Sequence, residues 1–401
     1  MKSINYIDVL KHPVVGRLSL IQFLSYFGTW FSQVAIASML VEYRASELAI
    51  AMVFIMLMLP SVLLAPLSGF IVDRVSFKKL MTILLFTEIS MTLLFMTINS
   101  IDAIGWLMLF VFIRSTASSM LFTAEMSLFP KILNGEMLKR TNELHSIIWS
   151  VCFALGMAIG GVVTYYFSYD TTFLVDVSLY LLATLVLIDL KIELKVVEHT
   201  QGAIEMMKSG FLYLKNHKKL IHLLFIHAVL GLTSFDTIIT ILADKHYSAF
   251  LAVPLAIGWI NATRAFGLAM GGAFLSRFID KNTLHYAFAL QGVVIIIWAI
   301  VQHDFVNSLI LMFFVGLFTT SLWAYTYYMI QQETKEEFLG RVIAYNDMLF
   351  MLSNITVTLF IGILAKVGVS MFIISSSLGV GFLLSALYYR WFKRVYLKNL
   401  I

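Results

Sequence analysis

Long apolar runs separated by short polar breaks dominate the hydrophobic pattern of this chain. About twenty consecutive apolar residues are enough for a helix to cross the hydrocarbon core of a bilayer. We count about twelve such runs. They begin near Leu18, Leu48, Leu80, Ala103, Asn142, Thr172, Leu220, Val253, Leu284, Asn307, Val342 and Val369. The pattern therefore predicts an all-α membrane protein with twelve transmembrane helices.

One long polar stretch interrupts the apolar runs, and it divides them six and six. We expect an N-terminal six-helix bundle at residues 1–190, a cytosolic linker at residues 191–219 and a C-terminal six-helix bundle at residues 220–401.

The linker has helical periodicity of its own. Its apolar positions recur every three or four residues, opposite charged ones, which indicates an amphipathic helix on the membrane surface. A connector with some helix explains the pattern equally well. The apolar positions are Ile204, Met207, Phe211 and Leu214, and the charged positions are Glu205, Lys208 and Lys215.

Composition and charge support a membrane protein. Hydrophobic residues make up 60% of the chain and charged residues 13%, and the mean hydropathy is +0.90. These values exclude a soluble globular protein. The net charge of +5 is distributed asymmetrically, since the loops on one side keep only Arg44, Lys245 and Lys366. By the positive-inside rule both termini are cytosolic, and nucleic acid is not expected as a partner.

The motifs of enzymes and of bound cofactors are missing. The sequence has no His-Glu-x-x-His, phosphate loop, Gly-x-Ser-x-Gly or cysteine pair. The single Cys152 excludes an intramolecular disulfide, and the 21 methionines are scattered rather than clustered. We expect no enzymatic activity, no metal, no cofactor and no cleavable signal peptide.

The loop between the second and third apolar runs reads Gly69-Phe-Ile-Val-Asp73-Arg74-Val-Ser-Phe-Lys78-Lys79. It resembles the signature loop of the major facilitator superfamily, which joins that fold's second and third helices. The resemblance implies a secondary active transporter. It also implies a conformational latch that holds the two halves in the outward-facing state, made by Gly69, Asp73, Arg74 and Lys78 with Arg341 at the start of the eleventh span.

The two halves of the chain resemble each other weakly. Gly69-x3-Asp73-Arg74-x3-Lys78 recurs as Gly272-x3-Ser276-Arg277-x3-Lys281, and Leu138-Lys139-Arg140 recurs as Leu339-Gly340-Arg341. Both matches keep an offset of about half the chain. We therefore expect two pseudo-symmetric bundles that rock about a site near the membrane midplane.

Span five carries the small residues Gly156, Gly160 and Gly161, whose spacing lets helix backbones approach closely. Exporters of the superfamily often have a Gly-Pro followed by Gly-Gly here, the antiporter motif. In this chain Met157 replaces the proline, so the resemblance implies export but not the proline kink. Helix packing alone also explains the run.

Ionisable residues within membrane spans are costly and mark pathways or coupling sites. In the first half these residues are Glu88, Arg114 and Glu125. Glu88 and Arg114 are placed to pair, and Glu125 follows Arg114 by three helical turns on nearly the same face. Arg114 matches the arginine of the family's fourth-helix motif, although Ser118 replaces a glycine of that motif. A purely structural pairing of the three remains an alternative.

The second half has a corresponding set, Asp236, Asn261, Arg264 and His227. Asp236 and Arg264 are expected at similar depth and to form a switchable ion pair, with Asn261 on the same face as Arg264. A static buried pair is the alternative. His227 can titrate near neutral pH but lies on the helix face opposite Asp236. The candidates for proton coupling are thus Asp236, Glu125, Glu88 and His227.

Polar and aromatic residues of span one form one face that could line a cavity. They are Gln22, Tyr26, Trp30 and Gln33. With Arg114, Asn261 and Arg264 they are the candidates for substrate contact. An interfacial belt or helix packing explains this face about equally well.

Residues 205–219, with the run Asp176-Val-Ser178, resemble the superfamily's drug-exporter branch, which includes macrolide and siderophore exporters. That branch is expected to have arginine where this chain has Glu125. The first hypothesis is a proton-coupled exporter of an amphipathic organic molecule, drug-like or siderophore, that acts as a monomer in a bacterial inner membrane. Its partners would be the small-molecule substrate, protons and the lipid bilayer.

Two alternatives remain. One is a transporter of a metal ion, a metal chelate or a lysophospholipid, although His227, Asp236 and Asn261 are the only plausible metal ligands. The other is a membrane sensor without transport activity. A sensor is expected to carry a soluble signalling domain, and only eleven residues follow Arg390.

Overall fold

A computed structural model describes residues 5–64, 71–72, 74–192 and 203–397. This part of the chain consists of α-helices with short 3-10 and π segments, and it contains no strand. The first half forms α1 (Tyr6–Lys11), α2 (Pro13–Glu42), α3 (Glu47–Leu63), α4 (Phe77–Phe95), α5 (Ile104–Ile132), α6 (Gly135–Tyr166) and α7 (Tyr169–Asp189). The predicted all-α class is confirmed.

The second half continues the same pattern of long helices. It forms α8 (Ala203–Lys215), α9 (Lys218–Ala228), α10 (Asp236–Leu242), α11 (Val253–Met270), α12 (Leu284–Val301), α13 (Phe305–Glu333), α14 (Leu339–Lys366) and α15 (Met371–Tyr396). The 3-10 segment Val229–Thr233 joins α9 to α10, and the π segment Ala243–Tyr247 continues α10.

Within the described residues, nine helical segments are long and apolar enough to cross a membrane. Three further helices, α3, α4 and α11, pack among them. The count of twelve transmembrane helices stays a prediction, because these three do not meet the same measure of length and apolarity.

Most helices begin within about four residues of the predicted starts, but α6 begins at Gly135 rather than Asn142. Its first two turns carry Glu136, Lys139 and Arg140, and they extend the helix beyond the apolar run. Several other helices begin at side-chain caps. Ser46, Ser168, Asp304 and Ser370 each accept a hydrogen bond from a backbone N–H of the first turn.

The long helices alternate in direction, so each end of the bundle can be defined by α2. We call the end where α2 begins at Pro13 the terminal end, and the end where it finishes at Glu42 the far end. One buried apolar cluster lies within the first half, where it joins residues of α2, α4, α5 and α7. A larger cluster contains residues of both halves.

The two halves meet closely at the far end. Gly161 of α6 faces Gly258 and Pro254 of α11, where an added Cβ would lie 2.5 Å from the Pro254 carbonyl oxygen. Lys245 donates a hydrogen bond to Glu47 across the halves. Gly362 of α14 packs in the same region against the first turn of α3. Small residues thus permit a tight closure of this end.

Helix α8 lies within the predicted linker, and its buried face includes Leu214 of the predicted apolar stripe together with Gly210 and Tyr213. Tyr213 stacks on Phe338 with ring centroids 4.2 Å apart. Tyr345 of α14 donates to the Met207 carbonyl oxygen over 3.0 Å. Phe211, which belongs to the predicted stripe, is 56% exposed. The helix therefore docks on the start of α14 through the faces around Gly210 and Tyr213.

Candidate functional site

Arg114 is the centre of a buried ionic cluster in the first half. Its Nε lies 2.8 Å from Glu88 Oε2, and its Nη2 lies 2.6 Å from Asp176 Oδ2. Its Nη1 donates to Ser32 Oγ over 2.8 Å, and Ser118 donates to Glu88. The predicted Glu88–Arg114 pair is present in the structure.

Asp176, which the sequence singled out only as part of the run Asp176-Val-Ser178, is also a member of this cluster. It is completely buried, as is Glu88, and the two carboxylates share one guanidinium. Four helices supply the polar groups: α2, α4, α5 and α7. The planar fork of arginine meets all three acceptors at once, which a lysine ammonium cannot do in the same geometry.

Glu125 lies apart from this cluster. Tyr26 of α2 donates to Glu125 Oε2 over 2.9 Å. The suggested structural pairing of Glu125 with Arg114 does not occur, because eleven residues separate them by about 16 Å along the helix axis. Glu125 is completely buried. Among the described residues no cationic group forms a salt bridge with it, and its Oε1 has no hydrogen-bond partner.

The surroundings of Glu125 are aromatic. The Tyr26 ring meets the His145 ring edge-on, with centroids 5.8 Å apart, and the Phe122 ring lies 5.4 Å from His145. Gln22, one turn before Tyr26, is also completely buried. The predicted polar face of α2 therefore packs here against α5 and α6 around one carboxyl group.

Trp30 and Gln33 continue this face toward the middle of the bundle. The Trp30 ring lies 4.3 Å from Phe153 and 5.7 Å from Trp149, both on α6. Gln33 is buried. The structure thus places Trp30 in an aromatic cluster, and Phe153 links that cluster to the second half.

The predicted pair of Asp236 and Arg264 is present as well. Arg264 Nη2 lies 3.2 Å from Asp236 Oδ1, and its guanidinium lies over the Phe153 ring at 5.5 Å. Arg264 therefore joins a carboxylate of its own half to an aromatic ring of the other half. Asn261, one turn before Arg264, is buried and donates to the Ile257 carbonyl oxygen.

His227 is completely buried and lies apart from Asp236, beyond a 3-10 segment. Its Nδ1 forms a 2.8 Å hydrogen bond with Thr326 Oγ1. Three aromatic rings surround it, with centroid distances of 4.4 Å to Trp323, 5.7 Å to Tyr327 and 6.0 Å to Phe350.

Asp347 was not predicted from the sequence. It lies eight residues into α14. Its side chain is accessible to solvent, but many protein atoms lie near its carboxyl group. Asn346 donates to its Oδ1 over 3.2 Å. An exposed carboxylate in such surroundings faces a recess rather than lipid. The signal was available, since Asp347 is an acid within the eleventh apolar run.

Two residues of the predicted latch, Gly69 and Asp73, lie outside the described residues. Lys78 donates hydrogen bonds to the carbonyl oxygens of Ile188 and Leu190, at 2.6 and 3.2 Å. Its side chain therefore caps the C-terminal end of α7. Arg341 lies over the Phe338 ring at 5.2 Å, within its own half. Arg74 is exposed. The latch stays a prediction.

The glycines of α6 serve close packing on two sides. An added Cβ at Gly156 would lie 2.9 Å from the Trp30 Cβ, and Gly160 contacts the Phe31 backbone of α2. Gly161 instead faces α11 of the second half. Helix α6 is therefore held against both halves by one short run of glycines.

Among the described residues, no group of three or more His, Cys, Asp or Glu side chains is arranged to hold a metal ion. The candidate site therefore comprises three buried carboxylates in the first half (Glu88, Asp176 and Glu125), the cation Arg264 between the halves, and the rings around His227 with Asp347 in the second half.

The family model and the related sequences agree on one protein family for this chain. The model of the Major Facilitator Superfamily matches residues 18–303. The Staphyloferrin A transporter of Staphylococcus aureus is 22% identical over 335 residues, which is 80% of this chain and 82% of that protein. The uncharacterized MFS-type transporter YfiS of Bacillus subtilis is 23% identical over 263 residues, 64% of this chain and 62% of that protein.

Solved structures of transporters share the fold. The nucleoside transporter NupG aligns with a TM-score of 0.73 and 14% identity, covering 94% of this chain and 98% of NupG. A bacterial homolog of the human lysosomal transporter Spinster, inward-facing and occupied, aligns with a TM-score of 0.73 and 13% identity, over 96% and 97% of the two chains. The POT family transporter PepTSo aligns with a TM-score of 0.76 and 10% identity, over 97% and 99%.

Proposed function

This chain belongs to the major facilitator superfamily, and from that premise we propose that it is a proton-coupled exporter of an amphipathic organic molecule. It is a membrane transport protein and not an enzyme. In the proposed topology twelve helices span a bacterial inner membrane, both termini are cytosolic, and residues 1–190 rock against residues 220–401.

The observation that carries the proposal is the isolated carboxyl group of Glu125. It is fully buried, its hydroxyl partner is Tyr26, and no described cation neutralises it. A lone charge in a low-dielectric site is costly, so this group can exchange a proton as the bundle alternates between states. Glu88 and Asp236, by contrast, each have an arginine partner. We therefore rank Glu125 first among the coupling candidates.

The contacts between the halves support alternating access. The halves meet at the far end through Gly161, Gly258 and the Glu47–Lys245 pair. Asp347 is exposed near the opposite end, eight residues or about 12 Å along the axis from the first residue of α14. With the proposed cytosolic termini, we infer that this conformer is the inward-facing one. The latch of Asp73 and Arg341 would form when the terminal end closes.

Transport by everted membrane vesicles tests this function. Vesicles that carry the protein should accumulate amphipathic dyes when a proton gradient is imposed, and should stop when the gradient is collapsed. Glu125→Gln should abolish the gradient dependence. Asp102→Asn, an exposed acid in the loop before α5, is the control that should behave as the unmodified protein. Uptake that is the same with and without a gradient would contradict the proposal.

A siderophore is the second candidate cargo. The observation that favours it is the similarity to a protein named Staphyloferrin A transporter, over four fifths of both chains. Uptake of an iron-free siderophore by the same vesicles, with no uptake of dyes, would favour this candidate over a drug-like cargo.

A further inference from the structure

The recess around His227 lies between α9, α13 and α14, and no role was predicted for it beyond a possible proton carrier. Its walls are the half-buried rings of Trp323, Tyr327 and Phe350. Trp323 and Phe350 meet edge-on at 4.6 Å, and Trp323 stacks with Tyr327 at 6.2 Å. Each ring leaves part of its surface open, so the three rings form an aromatic wall rather than a closed core.

The hydrogen bonds of Thr326 determine which atom of His227 is available. The Thr326 hydroxyl has one hydrogen, and it donates to the Leu322 carbonyl oxygen over 2.8 Å. We assign the hydroxyl hydrogen to this carbonyl, so that Thr326 Oγ1 accepts the hydrogen bond from His227 Nδ1. In the neutral imidazole the other nitrogen, Nε2, is consequently an acceptor.

His227 Nε2 is buried and has no hydrogen-bond partner among the described residues. A buried acceptor without a donor is costly, and such groups commonly await a ligand or a water molecule. Here the missing partner must supply an N–H or O–H.

Asp347 places a carboxylate beside the Tyr327 side of this recess. It precedes Phe350 by one turn of α14, and it lies within electrostatic range of the Tyr327 hydroxyl. The recess thus offers a carboxylate, a lone pair on nitrogen and the negative faces of aromatic rings. All three favour a cation, and together they are the chemistry of ammonium recognition.

We propose that His227, Asp347, Trp323, Tyr327 and Phe350 form a subsite for a protonated amine of the transported molecule. The amine N–H donates to His227 Nε2, its charge is balanced by Asp347, and its apolar substituents lie against the rings. This inference rests on the proposed transport function and names the class of its cargo. A quaternary ammonium has the same charge and shape but no N–H, so the subsite distinguishes the two.

Binding to the purified full-length protein in detergent tests the subsite without any gradient. The probes are imipramine, a protonated tertiary amine at neutral pH, and its quaternary derivative N-methylimipramine, both measured by isothermal titration calorimetry. Imipramine should bind about tenfold more tightly, since one charge-assisted hydrogen bond separates the two. His227→Phe should remove the preference, and His227→Gln, which keeps an acceptor, should retain part of it.

The acid and the rings are tested in the same assay. Asp347→Asn should weaken both probes about tenfold, because the charge serves both. Tyr327→Ala should weaken both about threefold. Tyr328→Ala is the matched control, because Tyr328 is the next residue, is 50% exposed and pairs with Tyr325 instead. It should leave both affinities unchanged.

Several results would overturn the subsite. They are equal affinities of the two probes for the unmodified protein, a preference that survives His227→Phe, unchanged affinities in Asp347→Asn, or no binding of imipramine by the folded protein. If His227→Phe does not fold, Asp347→Asn decides, because that residue is exposed. Loss of gradient-driven uptake with intact amine binding would instead refute only the transport proposal.

Discussion

The buried charges of this protein differ in how they are compensated. Arg114 serves two carboxylates and one hydroxyl, Arg264 serves one carboxylate and one ring, and Glu125 has only a tyrosine hydroxyl. A carboxylate that is paired with an arginine can have a structural role. Glu125 has no such partner, so it can gain or lose a proton without breaking an ion pair. This contrast among buried residues is the basis of the proposal that Glu125 is the coupling acid.

Arg114→Lys tests the structural role of the cluster. Lysine cannot meet Glu88, Asp176 and Ser32 together, so the change should lower the free energy of unfolding by about 2–4 kcal/mol. Arg17→Lys is the matched control, because Arg17 forms an exposed pair with Asp189 and should cost less than about 1 kcal/mol. Thermal unfolding in detergent measures both, and equal losses would refute a structural role for the cluster.

Asp280, in the loop before α12, gives a pH-dependent prediction. Its carboxylate accepts hydrogen bonds from the backbone N–H groups of Thr283 and Asn282, both at 2.7 Å, and these hold its pKa below the ordinary value of 3.8. A lowered pKa stabilises the folded state above pH 3.8, and the contribution is lost as pH falls through the folded-state value. Asp280→Asn should therefore lower Tm at pH 7, and the difference should shrink in acid. A difference that grows in acid would contradict this.

Ion pairs could be predicted from the sequence where two charged residues lie at the same depth in neighbouring spans. Glu88–Arg114 and Asp236–Arg264 followed from depth alone. Asp176 joining Arg114 did not, because it depends on how α7 rotates against α5. Asp347 faces a recess that exists only once three helices have packed.

Helices of this protein approach each other through glycines at defined crossings. Helix α6 uses Gly156 and Gly160 toward α2, and Gly161 toward α11. The sequence spacing predicted close packing but not which neighbour each glycine meets. The same limit holds for α8, whose buried face includes the predicted Leu214 but not the predicted Phe211. Periodicity defines the faces of a helix, while the tertiary fold decides which face is covered.

Gly161→Ala tests the crossing of α6 with α11. The added methyl would contact the Pro254 carbonyl oxygen, a backbone atom that cannot move away by rotating a side chain. The far end should open, which lengthens the distance between spin labels at Asn99→Cys and Ser248→Cys in a Cys152→Ala background. Gly105→Ala, with no atom within 4 Å of the added methyl, is the control. An unchanged distance distribution in Gly161→Ala would contradict the account.

At the scale of the whole molecule, closure of the far end depends on contacts between the halves. Besides the glycine crossing, the charge pair Glu47–Lys245 joins α3 to the segment after α10. The large apolar cluster also includes residues of both halves. The glycine crossing and the charge pair are few contacts, and they can break when the far end opens. Such an interface suits a protein that alternates between a state closed at the far end and a state closed at the terminal end.

A charge swap tests the Glu47–Lys245 contact. Glu47→Lys places two cations together and should shift the labels at Asn99→Cys and Ser248→Cys to longer distances. The double variant Glu47→Lys with Lys245→Glu restores opposite charges and should return the distribution toward that of the unmodified pair. If the double variant stays as open as the single one, the pair does not hold the far end closed.

The most direct test of the proposed function is proton movement by the purified protein in liposomes that enclose a pH-sensitive dye. An imposed imipramine gradient should drive protons in the opposite direction. Glu125→Gln should abolish this proton movement while exchange of labelled imipramine for unlabelled imipramine continues, because exchange needs alternating access but no net proton transfer. Proton movement that is unchanged in Glu125→Gln, or imipramine transport by the unmodified protein without proton movement, would contradict the account.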